Sequence, residues 1–116
     1  MGISGSMLSM DYEIQPEEFR SLREQGNGVV LLDVREFWEV QTAHIEGSVH
    51  IPMGEVPTRF HNELDPEQHI VVVCHHGVRS LNVTHWLRQQ GYEKVQSLSG
   101  GIDRWSRAVD PKVPVY

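Results

Sequence analysis

Two apolar runs constrain this chain more than anything else in it: Val29 to Val34, broken only by Asp33, and Ile70-Val71-Val72-Val73. Continuous runs of this kind, rich in β-branched residues, read as strands buried on both faces, which is the mark of a parallel sheet covered by helices. Helical patterns separate the runs. Pro16 stands at a first helical position with Glu17 and Glu18 behind it, Phe19 and Leu22 share a face, and Gly26 closes the segment. Glu36 to Gln41 reads as a short helix carrying Phe37, Trp38 and Val40, and Gly54 to Leu64 as another, with Pro57 near its start. A helix from Ser80 shows Val83, Trp86 and Leu87 as its stripe and ends at Gly91; a last short helix follows Ser99-Gly100-Gly101. Short strands are expected at Tyr12 to Ile14, within His44 to Pro52, and at Lys94 to Leu98. The alternation predicts an α/β domain, a mainly parallel five-stranded sheet with helices on both faces. Residues 11–116 form that domain in this reading, and the Gly/Ser-rich first ten residues are a cloning scar and a loose start.

Composition narrows the function. Ten basic against sixteen acidic side chains give a formal charge of −6, which argues against a nucleic-acid or anionic-membrane binder. The longest unbroken apolar stretch, Ile70 to Cys74, is far too short to span a bilayer. One cysteine, Cys74, excludes an internal disulfide, CxxC dithiol chemistry and a four-thiolate zinc site. With no export signal and no cysteine pair, the expected compartment is the cytoplasm.

Cys74 lies at the carboxyl end of the more strand-like run, where parallel sheets bind ligands. It opens the segment Cys74-His75-His76-Gly77-Val78-Arg79-Ser80. Gly77 permits a positive φ in a tight strand-to-helix loop, whose backbone N–H groups form an anion-binding nest above a helix N-terminus. A sulfur in that nest, with Arg79 nearby, is favoured as thiolate and poised as a nucleophile. The plain alternative is a buried cysteine used as a small hydrophobe. A polar loop holding glycine and arginine is poor company for core filler.

These residues resemble the active-site loop of rhodanese domains. Three further segments agree, in order. Asp33-Val34-Arg35 resembles the motif ending an early core strand, His44-Ile45-Glu46-Gly47-Ser48 the His-Ile-x-Gly-Ala segment with Ser for Ala, and Gly100-Gly101-Ile102-Asp103-Arg104-Trp105 the Gly-Gly-x-x-x-Trp segment. The resemblance implies a rhodanese-like fold and sulfur transfer by double displacement. Cys74 takes a sulfane sulfur from a small anionic donor such as thiosulfate, holds it as a persulfide, and gives it to cyanide in an assay or a thiol in the cell. No cofactor and no metal are implied.

His75, His76, Gly77, Val78 and Arg79 are the expected substrate-binding loop. Asp33, Arg35 and Ser80 are expected to support it, the first two as a structural hydrogen bond or ion pair. Arg79 has two readings: it faces the substrate, or it pairs with a carboxylate beneath the loop. Adjacent histidines in one tight loop do not both chelate comfortably, which argues against a metal; one imidazolium could instead attract an anionic donor. Trp38, Trp86 and Trp105 are expected to cover the sheet. The rival readings are a non-catalytic binding domain on the same fold, a persulfide carrier serving a sulfur-relay protein, and a cysteine phosphatase or arsenate reductase. Phosphatases place five residues between Cys and Arg; here there are four, so the loop is narrow for a phosphoryl group.

Overall fold

The structure is a computed structural model that describes residues 10–116, so the reading of the first ten residues lies outside it but for Met10. Strands β1 (Glu13–Ile14), β2 (Val30–Asp33), β3 (Val49–His50), β4 (Ile70–Val73) and β5 (Val95–Leu98) form one sheet in the order β1-β5-β4-β2-β3, with every pair parallel. Among the described residues five α-helices connect them: α1 (Pro16–Glu24), α2 (Phe37–Thr42), α3 (Val56–Glu63), α4 (Val78–Gln89) and α5 (Gly101–Ala108). None is long and apolar enough to cross a membrane.

The two apolar runs occupy the middle of the sheet. β4 pairs with β2 on one side and β5 on the other, so all four of its side chains are fully buried. A strand's side chains alternate between faces, and the core divides accordingly. Leu32, Val34, Ile70, Val72 and Cys74 pack with Val56, Leu64, Val83 and Leu87 from the α3/α4 side. Leu31, Val71, Val73 and Leu98 pack with Phe19, Ile102 and Trp105 from the α1/α5 side. Cys74, two residues beyond Val72, is thus directed by strand periodicity towards α4.

Three expectations need correction. The segment read as one helix from Gly54 is a 3-10 turn at Met53–Glu55 followed by α3, because the chain leaves Pro52 tightly before Pro57 can enter an α-helical first turn. α4 begins at Val78, not Ser80, so Arg79 belongs to its first turn. Trp38 does not cover the sheet: it is 61% exposed, beside an exposed Phe37, while Glu39 on the same helix is buried. Trp105 is buried and Trp86 half-buried, as expected.

Candidate active site

The early start of α4 is explained by the sulfur. Gly77, at φ 109°, caps the helix without a side-chain acceptor of its own. The first N–H groups of a helix lack partners within it. Here Cys74 Sγ supplies one, accepting from the N–H of Gly77 at 3.1 Å and of Ser80 at 3.3 Å. The thiol contacts Ser80 Oγ at 3.4 Å, and that hydroxyl donates to Gly77 O and shares a 2.7 Å hydrogen bond with Ser97 Oγ from β5. Ser80, expected only as a support, touches the sulfur through both backbone and side chain. Cys74 is 1% exposed.

α5 secures the other side of the loop. Its first N–H groups donate to the loop carbonyls, Ile102 to Cys74 O at 2.9 Å and Asp103 to His75 O at 3.1 Å. This approach requires Gly101 to have no side chain, since a Cβ there would strike the His75 carbonyl and lie 2.6 Å from Cys74 O. His75 stacks on Tyr116, centroids 3.9 Å apart and planes within 6°, and hydrogen-bonds through Nε2 to the Tyr116 backbone oxygen. His76 and Val78 are exposed.

A polar chain runs beneath the loop. Both terminal nitrogens of Arg79 donate to the Glu39 carboxylate, at 2.8 and 2.9 Å. Tyr116 Oη donates to Glu39 Oε1 at 2.8 Å and accepts from Arg35 Nη1 at 3.0 Å. Arg35 forms a two-pronged pair with Asp33 and donates to the carbonyls of Glu39 and Ala43, holding both turns of α2. Of the two readings of Arg79, the geometry matches the carboxylate pair. The Arg79 guanidinium holds the Glu39 carboxyl at about 2, against the cost of burial, and Glu39 in turn raises Arg79. Burial, with the Glu39 contact in support, pushes Tyr116 up to about 12. Burial opposes the charge on Arg35, but the bonds to Asp33 and Tyr116 outweigh it and raise its pKa.

The sequence model of the Rhodanese-like domain family matches residues 15–108. The chain belongs to the rhodanese-like family. It is 39% identical over 94 residues to a putative sulfur carrier protein, YrkF, of Bacillus subtilis, covering 81% of this chain and 50% of that one. It thus spans half the length of the Bacillus relative. It is 35% identical over 104 residues to the thiosulfate sulfurtransferase GlpE of Actinobacillus pleuropneumoniae, covering 90% and 94%. The fold superimposes on a rhodanese-related protein from Thermoplasma volcanium with a TM-score of 0.76 at 28% identity, over 91% of this chain and all of that one. The rhodanese-like architecture expected from the motifs is the one observed.

Four residues of the site escaped the sequence reading: Glu39, Ser97, Asp103 and Tyr116. Only Glu39 leaves a trace, the Glu36-x-x-Glu39 spacing of a capping box, which closes here with the Glu36 N–H donating to Glu39 Oε2 at 2.9 Å.

Proposed function

We propose that this chain is a sulfurtransferase working through a persulfide on Cys74. The observation that carries the reading is the sulfur's position: the end of the central strand, at the N-terminus of α4, with the Gly77 and Ser80 N–H groups directed at it. Helix N-termini favour negative charge. The Cys74 thiolate attacks the outer sulfur of thiosulfate, the S–S bond of the donor breaks, and its electron pair leaves with sulfite. The new sulfur stands about 2 Å beyond Sγ, so the reactive atom is no longer the buried Sγ itself. A thiolate acceptor then attacks that outer sulfur, forms its own persulfide and returns Cys74 as thiolate; cyanide would leave as thiocyanate. Neither step consumes an external oxidant or reductant.

His75, His76, Gly77, Val78 and Arg79 form the cradle in this reading, Asp33 and Arg35 hold α2 beneath it, and Ser80 joins the residues that touch the sulfur. The names of the relatives, a thiosulfate sulfurtransferase and a sulfur carrier, support the chemistry. A persulfide-carrier role is favoured by a second observation. Val78, at the end of the loop, and Trp38, which meets edge-on the Tyr116 ring on which His75 stacks, are both more than half exposed, apolar side chains suited to contact with a protein acceptor. The proposal extends to the cytoplasm, where thiol acceptors are abundant.

Intact-mass measurement after exposure to thiosulfate and a panel of other sulfane donors tests the reading. One added sulfur is expected on the native chain and none on Cys74→Ser. Failure of every donor, or full thiocyanate formation by Cys74→Ser, would overturn it. Hydrolysis of an aryl phosphate without sulfur transfer would point to the phosphatase.

A further inference from the structure

We propose that His75, His76 and Asp103 form a binding site for a divalent transition-metal cation of the zinc type beside the mouth of the Cys74 loop. The two adjacent histidines of one tight loop do not chelate comfortably alone. The structure brings a third donor from α5. One ligand atom from each of the three residues lies within 4.8 Å of the other two.

Three features make this more than proximity. The loop and α5 are locked in register by the Asp103 N–H bond to His75 O, so the carboxylate is delivered beside the imidazoles by the backbone. The two histidine rings lie on the same side of the loop, centroids 3.9 Å apart and tilted by 33°. The His75 ring is already oriented, stacked on Tyr116 with Nε2 bonded at 2.8 Å to its backbone oxygen. A ring whose Nε2–H is given to a carbonyl keeps its electron pair on Nδ1, which is how metal-ligating histidines are commonly held.

The chemistry of the set selects the ion. Two imidazoles and one carboxylate suit zinc, cobalt or nickel better than calcium or magnesium, which prefer oxygen throughout. Tetrahedral coordination at usual bond lengths needs ligand atoms about 3.4 Å apart. His76 is exposed and Asp103 is held by only a 3.2 Å pair with the exposed Arg107, so both side chains are free to close that difference. Three protein ligands leave the fourth position open to water or an anion.

The site does not depend on the sulfurtransferase reading, and the experiment separates them. In Cys74→Ser, which removes the competing thiolate, titration with zinc followed by calorimetry, and with cobalt followed by visible absorption, should show one bound ion. Asp103→Asn in the same background should weaken binding at least tenfold, and His76→Gln likewise, with unchanged far-ultraviolet circular dichroism. Asp103→Asn removes only the exposed contact with Arg107, so its fold should persist. Binding indifferent to Asp103→Asn would overturn the site, as would binding seen in the native chain and absent from Cys74→Ser, or no binding at all.

Discussion

Arg79 and Glu39, forty positions apart in the chain, meet carboxylate to guanidinium through two hydrogen bonds of 2.8 and 2.9 Å. The pair ties the first turn of α4, which follows the Cys74 loop, to α2, which follows β2. With both terminal nitrogens engaged, Arg79 shapes the loop, and its charge is largely answered by Glu39. In the proposed reaction, attraction of an anionic donor then falls chiefly to backbone N–H groups and the helix N-terminus.

Altering both partners of this pair should cost less than the two single changes added together. Arg79→Ala leaves a Glu39 carboxylate only 5% exposed without its cation. Breaking buried pairs costs about 3–5 kcal/mol, and the 30% exposure of Arg79 reduces this to about 2 kcal/mol. Glu39→Gln alone should cost about 2 kcal/mol, since the amide oxygen still accepts one set of donors but its NH2 faces N–H groups from which the carboxylate accepted. Urea denaturation of Arg79→Ala, Glu39→Gln and their combination should show a double variant less destabilised than the sum of the singles. Strict additivity would mean that the pair holds nothing together.

The same pair sets an acid limit. The Glu39 carboxyl, near 4.5 in an unfolded chain, is held at about 2 in the folded one, first by Arg79. A depressed carboxyl contributes stability above its unfolded value and loses it as pH falls through the folded one. The loss should run from about pH 4.5 to pH 2 and amount to roughly 2–3 kcal/mol. Acid unfolding followed by circular dichroism should therefore be less steep across that window in Glu39→Gln than in the native chain.

What could be read from sequence and what could not divide along a physical line. Ile70–Val73 was legible as a central strand because β-branched residues in an unbroken run have few other places to go. The place of Cys74, in a tight loop between the end of that strand and a helix, was legible because a loop glycine and strand-end position act over a few residues. The helix α2 was legible but the outward placing of Trp38 was not, because Trp38 is apolar and hydropathy places such a residue inward. The helix is instead held from its polar side, by Arg35 on its carbonyls and Arg79 on Glu39. Ser97 and Tyr116 were illegible for a related reason: their partners, Ser80, Glu39 and Arg35, are brought to them only by the completed sheet.

Gly77 and Gly101, two of the left-handed glycines around the loop, should respond differently to alanine. At Gly101, φ is 65° and a Cβ would collide with the backbone of Cys74 and His75, which cannot rotate away. At Gly77, φ is 109° but the nearest atom to a Cβ is 3.5 Å distant. Gly77→Ala should therefore cost about 1–2 kcal/mol of strain and leave the loop in place. Gly101→Ala should cost more and displace the loop from α5. Thermal denaturation and the mass assay for sulfur loading together check this: loading should survive in Gly77→Ala and fail in Gly101→Ala at temperatures where both chains are folded.

Ser80 offers a way to separate a hydroxyl that serves the reaction from one that merely fills space. Its Oγ lies 3.4 Å from Cys74 Sγ and 2.7 Å from Ser97 Oγ, all three buried. Ser80→Ala retains the N–H that reaches the sulfur but removes a hydroxyl able to turn and donate to a thiolate. It also leaves Ser97 Oγ without that partner, at a cost of about 1–3 kcal/mol. Ser97→Ala removes the same Ser80–Ser97 bond and leaves the hydroxyl at the sulfur intact. Both variants should lose comparable stability in urea. If the Ser80 hydroxyl steadies charge on sulfur, loading from thiosulfate should slow by about tenfold, or ~1.4 kcal/mol, in Ser80→Ala and by much less in Ser97→Ala. Equal slowing in the two would mean that the hydroxyl acts only through the packing of the loop on β5.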